Sequence, residues 1–454
     1  MVANLAHLAK AHYSPGKRRL FTAILGLLLA TPTLMAAPKV PVIKVHTADA
    51  TRHFQPRKAR VNAMLQAGLQ ALAPDFHWRQ LISTNDIVGI KVNARLGTLT
   101  GTRPAVVRAV AQSLMASGVP AKNIVIWDRN LTDLQRAGYT PLARELGVQL
   151  AGSREVGFGE WDAYAVPALH WELAAGDHLF GRTKTSTKSH VSRLITDRLT
   201  AIISIQPPIA DRQNGARGHL QELAMAAADN TDRFRISTPH LTPAIPELLD
   251  RIAFSHALPG PVFRKKLQQL QTQKPYSAFP LHLLETSGEI FYYYEEAAER
   301  ALLPHTAFTL AYETAKETGR SQTLLIRGDT HEWEQIIHPD GRNTLQRRTL
   351  GKEEARQTKL RLHITDALLC QFHQGDQSRP DYATAINELW ISRDPVALDA
   401  LSAELIASLR RSLNLPVRRA PDAILRYASK MYLGSDRRED WDLRTIKLGD
   451  RAPE

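Results

Sequence analysis

Five polar residues stand at points where apolar runs of this chain end: Lys91 and Asn93, Asp128, Asp366 and Asp394. A lysine and a carboxamide set among acids can hold an anion or a metal, or pass a proton between partners. The same residue types can also form a plain network of ion pairs. Strand direction decides between these readings, because groups at the carboxyl ends of neighbouring parallel strands converge on one crevice. Lys91 and Asn93 share a strand face by the two-residue period.

Asp394 carries two open roles. In Ser392-Arg-Asp-Pro395 it precedes a proline that begins a helix running to about Arg411, the preferred order for an N-cap followed by the first helical residue. It would equally face a ligand beyond a strand end. Asp399 lies five residues on, roughly 140° around the helix at about 100° per residue, so the two carboxylates do not share a face and a structural role suits Asp399 better.

A second feature is Gly181-Arg-Thr-Lys-Thr-Ser-Thr-Lys-Ser-His-Val191, which contains no acid. If extended, it sets Arg182, Lys184, Lys188 and His190 on one face. That stripe is either an edge strand guarded by lysine or a docking surface for phosphate, sulfate or carboxylate. None of the 17 histidines forms a pair at metal-ligand spacing. His363 and His373 flank Asp366 and could join a metal or general-base site there. Cys370 is the single cysteine, which excludes an internal disulfide and makes a chain-ligated iron–sulfur cluster or all-cysteine zinc site untenable. Its apolar surroundings, Asp-Ala-Leu-Leu-Cys, suit a buried thiol rather than a nucleophile. No nucleophile elbow, Walker loop, HExxH or dinucleotide fingerprint is present.

The elements that must position these groups follow from hydrophobic period. Asp86–Asn93 and Asn123–Asp128 read as strands around a helix over Pro104–Ser117, which Gly118 ends. A helix over Leu134–Leu146, strands over Gly147–Ala151 and Leu199–Gln206, and later strands over Leu360–Thr365 and Glu388–Ser392 continue the alternation. The predicted class is α/β, a mostly parallel sheet with helices on both faces. Residues 38–250 and 359–454 supply the two parts of that domain. Between them, 251–358 reads as a helix-rich insertion or cap, with Leu267–Leu270, Tyr292–Leu303 and Phe308–Lys316 as its helical stretches.

Residues 1–37 hold Lys10, Lys17, Arg18 and Arg19 and no acid, followed by an uncharged stretch to Ala37. This is the layout of an export signal. Its strongly apolar part, Leu20–Ala30, would make roughly 16 Å of helix, against about 30 Å of hydrocarbon. Arg18-Arg19-Leu20-Phe21 resembles the twin-arginine motif, with Lys17 where Ser or Thr is usual; a general secretion signal or an uncleaved anchor are the alternatives. All three place the body outside the cytoplasm, in the periplasm of a bacterium, with no transmembrane span in the mature chain. The formal charge of +13 becomes +9 without residues 1–37. Such a surface favours an anionic small molecule or an acidic polymer. Export and the lack of any nucleic-acid motif argue against nucleic acid.

Val88-Gly-Ile-Lys-Val-Asn93, Thr102-Arg-Pro-Ala-Val-Val107, Ile126-Trp-Asp128, Ile364-Thr-Asp-Ala-Leu368 and Ser392-Arg-Asp-Pro-Val-Ala-Leu-Asp399 together resemble the domain of unknown function 362 family. The last run is the most specific, and the resemblance skips roughly 250–358. It implies export, since family members often carry twin-arginine signals. Where the family usually places Lys-x-His after its buried middle strand, this chain has Pro208-Ile-Ala-Asp-Arg-Gln-Asn-Gly215, so the ligand has changed or the site has been lost. Two functions remain. The first is an exported protein binding an anionic ligand or a metal in a crevice lined by Lys91, Asn93, Asp128, Asp366 and Asp394, with acid–base or metal-assisted chemistry within reach. The second is a non-catalytic periplasmic binding or assembly protein with a degenerate family site, which the loss of Lys-x-His favours.

Overall fold

Long apolar runs with few interruptions demand strands covered on both faces. The computed structural model describes residues 39–165, 188–211, 215–231, 244–253, 284–286, 290–294, 312–313, 315–317, 319, 321–327, 331–349, 359–417, 422–431 and 433–449. The expected signal at 1–37 lies outside them.

An eight-stranded sheet collects Val40–His46 (β1), Val88–Val92 (β2), Ile124–Asp128 (β3), Gln149–Gly152 (β4), Ala201–Gln206 (β5), Leu360–Thr365 (β6), Glu388–Ser392 (β7) and Trp441–Lys447 (β8). Their spatial order is β8-β1-β7-β6-β5-β2-β3-β4. The block β6-β5-β2-β3-β4 is parallel throughout, and β8 is parallel to β1. Only β7 runs the other way, antiparallel to both β1 and β6. The chain is therefore an α/β protein with a mostly parallel sheet. Every residue of β2, β3 and β5 is buried.

Helices cover both faces: Lys58–Leu72 (α1), Pro104–Ala116 (α2), Tyr139–Leu146 (α3), His219–Ala227 (α4), Ala244–Ala253 (α5), Pro395–Ser412 (α6) and Asp422–Lys430 (α7). On one face, Ile90, Ile126, Ile203, Ile364 and Ile391 form a core with Leu65 of α1 and Val110 of α2. On the other, Val125, Trp127 and Ile202 pack with Leu220 and Leu223 of α4 and Leu248 of α5. Val42 and Trp390 pack there with Leu398 of α6. This second face also carries a polar row, because the register sets Lys91 beside Ser204, Ser204 beside His363, and His363 beside Ser392.

Three expectations change. The predicted helix over Leu134–Leu146 is two, Leu131–Arg136 and α3, because Gly138 takes φ +79° between them, a left-handed geometry that glycine adopts without Cβ strain. The stretch 251–358 is strand-rich where described, not helix-rich. Leu284–Thr286, Ile290–Tyr294, Gln322–Arg327, His331–Ile337 and Asn343–Thr349 form a five-stranded sheet in that order. Tyr292 thus lies in a strand, as the aromatic and β-branched run Ile290-Phe-Tyr-Tyr-Tyr294 favours. Within Phe308–Lys316, residues 312–313, 315 and 316 are helical, while Leu267–Leu270 lies outside the described residues. The third change concerns Asp394, which follows the reversed strand β7 and so leaves the sheet at the end opposite to Asn93, Asp128 and Asp366. Among the described residues no helix is long and apolar enough to cross a membrane.

Candidate functional site

Each parallel strand delivers its terminal polar group to the carboxyl edge of the sheet. From β2 the chain turns through Asn93–Thr102 and returns on itself. Thr102 N–H donates to Asn93 O at 2.9 Å, and Asn93 N–H donates to Thr102 Oγ1 at 2.8 Å. The same hydroxyl donates to Ile205 O at 2.8 Å. Gly101 is required for this closure, since a Cβ there would sit 2.4 Å from Gly97 O and 2.5 Å from Asn93 O.

Two buried ion pairs occupy this edge. Lys91 Nζ stands 3.0 Å from Asp128 Oδ1, with the two side chains 0% and 7% exposed. Asp128 also accepts from Ala94 N–H and Arg129 N–H, both at 2.8 Å. Arg103 pairs with Asp366 at 3.0 Å, and its N–H donates to Asp366 Oδ2 at 2.8 Å. The guanidinium turns its hydrogen bonds elsewhere, to Asp366 O at 3.1 Å and Leu99 O at 3.0 Å. Oδ1 of Asp366 is consequently near a charge but accepts no aligned hydrogen bond among the described residues. Tyr139 closes the group by donating to Thr102 O at 2.7 Å. Burial, then the nearby Asp366 and Asp128 carboxylates, holds its hydroxyl well above the usual phenol range.

In front of Asp128 lies a crevice between the loop after β3, Arg95, and α4, lined by Arg95, Asp128, Arg129, Asp133, Arg217, Gln221, Glu222 and Met225, among others. Three guanidinium groups thus surround it. Arg129 donates to Met225 O at 2.8 Å and to Thr231 Oγ1. Arg217 is held by Asp211, Glu222 and Asp376 at 3.1, 3.3 and 3.0 Å. The exposed Arg95 donates to Asp376 O.

The structure gathers Lys91, Asn93, Asp128 and Asp366 and leaves Asp394 and Asp399 apart. Asp394 caps α6, accepting from Ala397 N–H at 2.9 Å, and also accepts from Ser435 N–H at 2.7 Å. Asp399 caps α4 from the neighbouring helix, accepting from His219 N–H at 2.6 Å and Leu220 N–H at 2.9 Å. Burial pushes both carboxyls up to about 7, although these backbone donors pull the other way. Of the basic stripe, Arg182 and Lys184 lie outside the described residues and Lys188 opens the strand Lys188–Ser192. His190 Nδ1 lies 3.0 Å from Asp229 Oδ2, so a carboxylate already faces the position expected to meet an anion. His373 Nδ1 accepts from Arg410 at 2.8 Å, away from Asp366. Cys370 is buried, which raises its thiol far above the usual range. Among the described residues no three His, Cys, Asp or Glu side chains group as a metal site.

Sequence reasoning passed over Arg95, Arg103, Arg129, Tyr139 and His219. Arg103 had a signal, standing directly before the helix-initiating Pro104 at the return of the Asn93 loop. His219 had none, since its partners Ser204 and Thr365 are distant in the chain.

No family model and no curated protein matches the chain. A crystal structure of a Thermotoga maritima protein from the Northeast Structural Genomics Consortium is similar over 46% of this chain and 49% of its own, with 12% identity and a TM-score of 0.28. The chain thus spans about half the length of that solved protein.

Proposed function

We propose that this is an exported protein of the domain of unknown function 362 kind that binds a small anionic ligand at the carboxyl edge of its sheet. The observation that carries the reading is the pair Arg95 and Arg129 on a crevice that Asp128, Asp133, Arg217 and Glu222 also line; both donate to neutral oxygens, whereas Arg217 is held by Asp211, Glu222 and Asp376. Guanidinium groups match carboxylate and phosphate in geometry as well as charge. The charge of +9 expected after signal removal would steer anions toward it.

Support for the family comes from position. The runs that carry the resemblance fall on β2, the start of α2, the end of β3, the end of β6, and the β7–α6 junction. Binding rather than turnover is favoured because Asp128 and Asp366 are each committed to a cation and to backbone donors.

Thermal unfolding of the full chain across phosphate, sulfate and small carboxylates tests the reading. A ligand at 100 times its Kd stabilises by about 2.7 kcal/mol, and Arg95→Ala should remove most of the shift. No shift with any of these anions would overturn the proposal. Export is tested separately by fusing residues 1–40 to a reporter in cells lacking each export route; retention in the cytoplasm of all strains would sink it.

A further inference from the structure

The crevice in front of Asp128 carries both signs of charge. Arg95 and Arg129 line it, and so do Asp133 and Glu222. The two acids have a local origin, since each falls in the first turn of its helix, Leu131–Arg136 and α4, where a carboxylate meets the positive end of the backbone dipole. A third acid, Asp376, arrives from the loop that follows Leu369–Gln371, and touches Arg95 through its carbonyl and Arg217 through its carboxylate. Gln371 ties that loop, its Nε2 reaching His373 O, Gln374 O and Gln377 O at 3.1, 2.8 and 2.9 Å. Gly375 packs so closely that a Cβ there would sit 1.9 Å from Ala210 O.

Counter-charge is unequally supplied among these groups. Arg217 stands 3.3 Å from Glu222 and 3.0 Å from Asp376, and it holds Asp211 as well. Even with Asp211 set aside, one guanidinium serves two carboxylates. The side chains of Arg217 and Glu222 are 10% and 13% exposed, so water screens this excess poorly. Asp133 accepts from a neutral donor, Asn130 Nδ2, at 2.7 Å. Opposite in sign, the exposed Arg95 donates to a neutral carbonyl. A bare anion drawn to Arg95 would therefore bring its charge toward Glu222 and Asp133, whereas a molecule that also carries a cation meets a partner for each end.

We infer that the ligand's anionic group is joined to an ammonium, so that the crevice takes a small molecule of amino-acid chemistry, its carboxylate toward Arg95 and Arg129 and its ammonium toward Glu222 and Asp133. The carboxylate end rests on the anion reading above; the acids are what select among anions. An ammonium offers three N–H donors and no acceptor, which suits carboxylate oxygens that lack a full counter-charge. The space, about 470 Å³ with the open mouth included, is of small-molecule size.

Thermal unfolding of the full chain tests this with glycine, L-alanine and L-glutamate, each against its N-acetyl form, which keeps the carboxylate and loses the ammonium. At least one free amino acid should raise Tm saturably, with an apparent Kd about tenfold below that of its N-acetyl form, the effect of one charge-assisted hydrogen bond. Glu222→Gln should abolish that preference by weakening the free amino acid and not the N-acetyl form. Should this variant fold poorly because Arg217 leans on Glu222, Asp133→Asn, which keeps an acceptor for Asn130, should reduce the preference in the same way. N-acetyl forms that match the free amino acids, or a preference that survives the substitution, would overturn the assignment. Shifts with phosphate, sulfate or acetate but no preference for a free amino acid would sink this assignment and leave the anion reading. An amino-acid response without a response to those anions would do the reverse, and no response to either would end both.

Discussion

Two pairs of buried aspartates in this fold solve the same problem by opposite means. At the carboxyl edge, Asp128 and Asp366 are matched by Lys91 and Arg103. Around α6, Asp394 and Asp399 have no cation in contact among the described residues and rely on the backbone N–H groups that open two helices, joined at Asp394 by Ser435 N–H. The difference follows from strand direction, since parallel strands bring several side chains to one edge while the reversed β7 leads straight into a helix that needs a cap. What it teaches is that a buried acid beyond a strand marks a site only where neighbouring strands end with it.

The largest effect should come from breaking a matched pair. Lys91→Met leaves Asp128 buried with only backbone donors, and removing one partner of such a pair costs about 3–5 kcal/mol. Denaturant unfolding measures it. A loss under about 1 kcal/mol would mean that Ala94 and Arg129 N–H groups suffice, erasing the contrast with Asp394 and Asp399.

The unmatched pair should announce itself through pH. For Asp394 and Asp399 the folded value, about 7, lies above the ordinary 3.8. The folded state then binds more protons than the unfolded state between these values, so their contribution to stability falls as pH rises from about 4 to about 7 and is flat above. His363 acts in the reverse sense, its folded value of about 3 lying below 6.5, so its contribution is lost as pH falls through that window. The wild-type minus Asp399→Asn difference in unfolding free energy isolates the first effect. A difference constant from pH 4 to 8 would show that the helix N–H groups keep the carboxylate charged.

Much of this frame was legible in the sequence, and the omissions have physical causes. The runs Val88–Val92 and Ile124–Asp128 are strands because they are apolar enough for burial on both sides, Leu360–Thr365 because its apolar residues alternate with Arg361, His363 and Thr365, and Asp394-Pro395 declared its cap by residue type. The reversal of β7 was not legible, because an apolar run carries no sign of its direction. Nor were β1 and β8, which pair Val40 with Trp441 across nearly the whole chain. The site was half visible. Lys91, Asn93, Asp128 and Asp366 stand at strand ends, whereas Arg103 and His219 reach it only through tertiary contacts.

A milder perturbation separates the edge from its scaffold. Gly101→Ala drives a Cβ against Gly97 O and Asn93 O, and overpacking of this kind costs about 1–3 kcal/mol. Because the loop carries Arg95 and holds Asn93, the anion-dependent rise in Tm should weaken as well, while the pH response of Asp399 stays as in wild type. Equal damage to both would mean that the two regions are one cooperative unit.

The smallest effect is expected at His190, whose pairing with Asp229 resembles the matched pairs in composition only. Its side chain is 30% exposed and that of Asp229 is 31% exposed, so water screens the charges and the contact is worth about 0–1 kcal/mol. His190→Ala should therefore shift the unfolding free energy by less than the uncertainty of most denaturant extrapolations. Its informative readout is retention on heparin. If the basic stripe docks acidic polymers, Lys184→Ala with Lys188→Ala should elute earlier, and His190→Ala should not, because Asp229 already occupies the imidazole. Earlier elution of His190→Ala alone would show that the pair opens to admit an anion, which neither matched pair at the carboxyl edge can do without unfolding its surroundings.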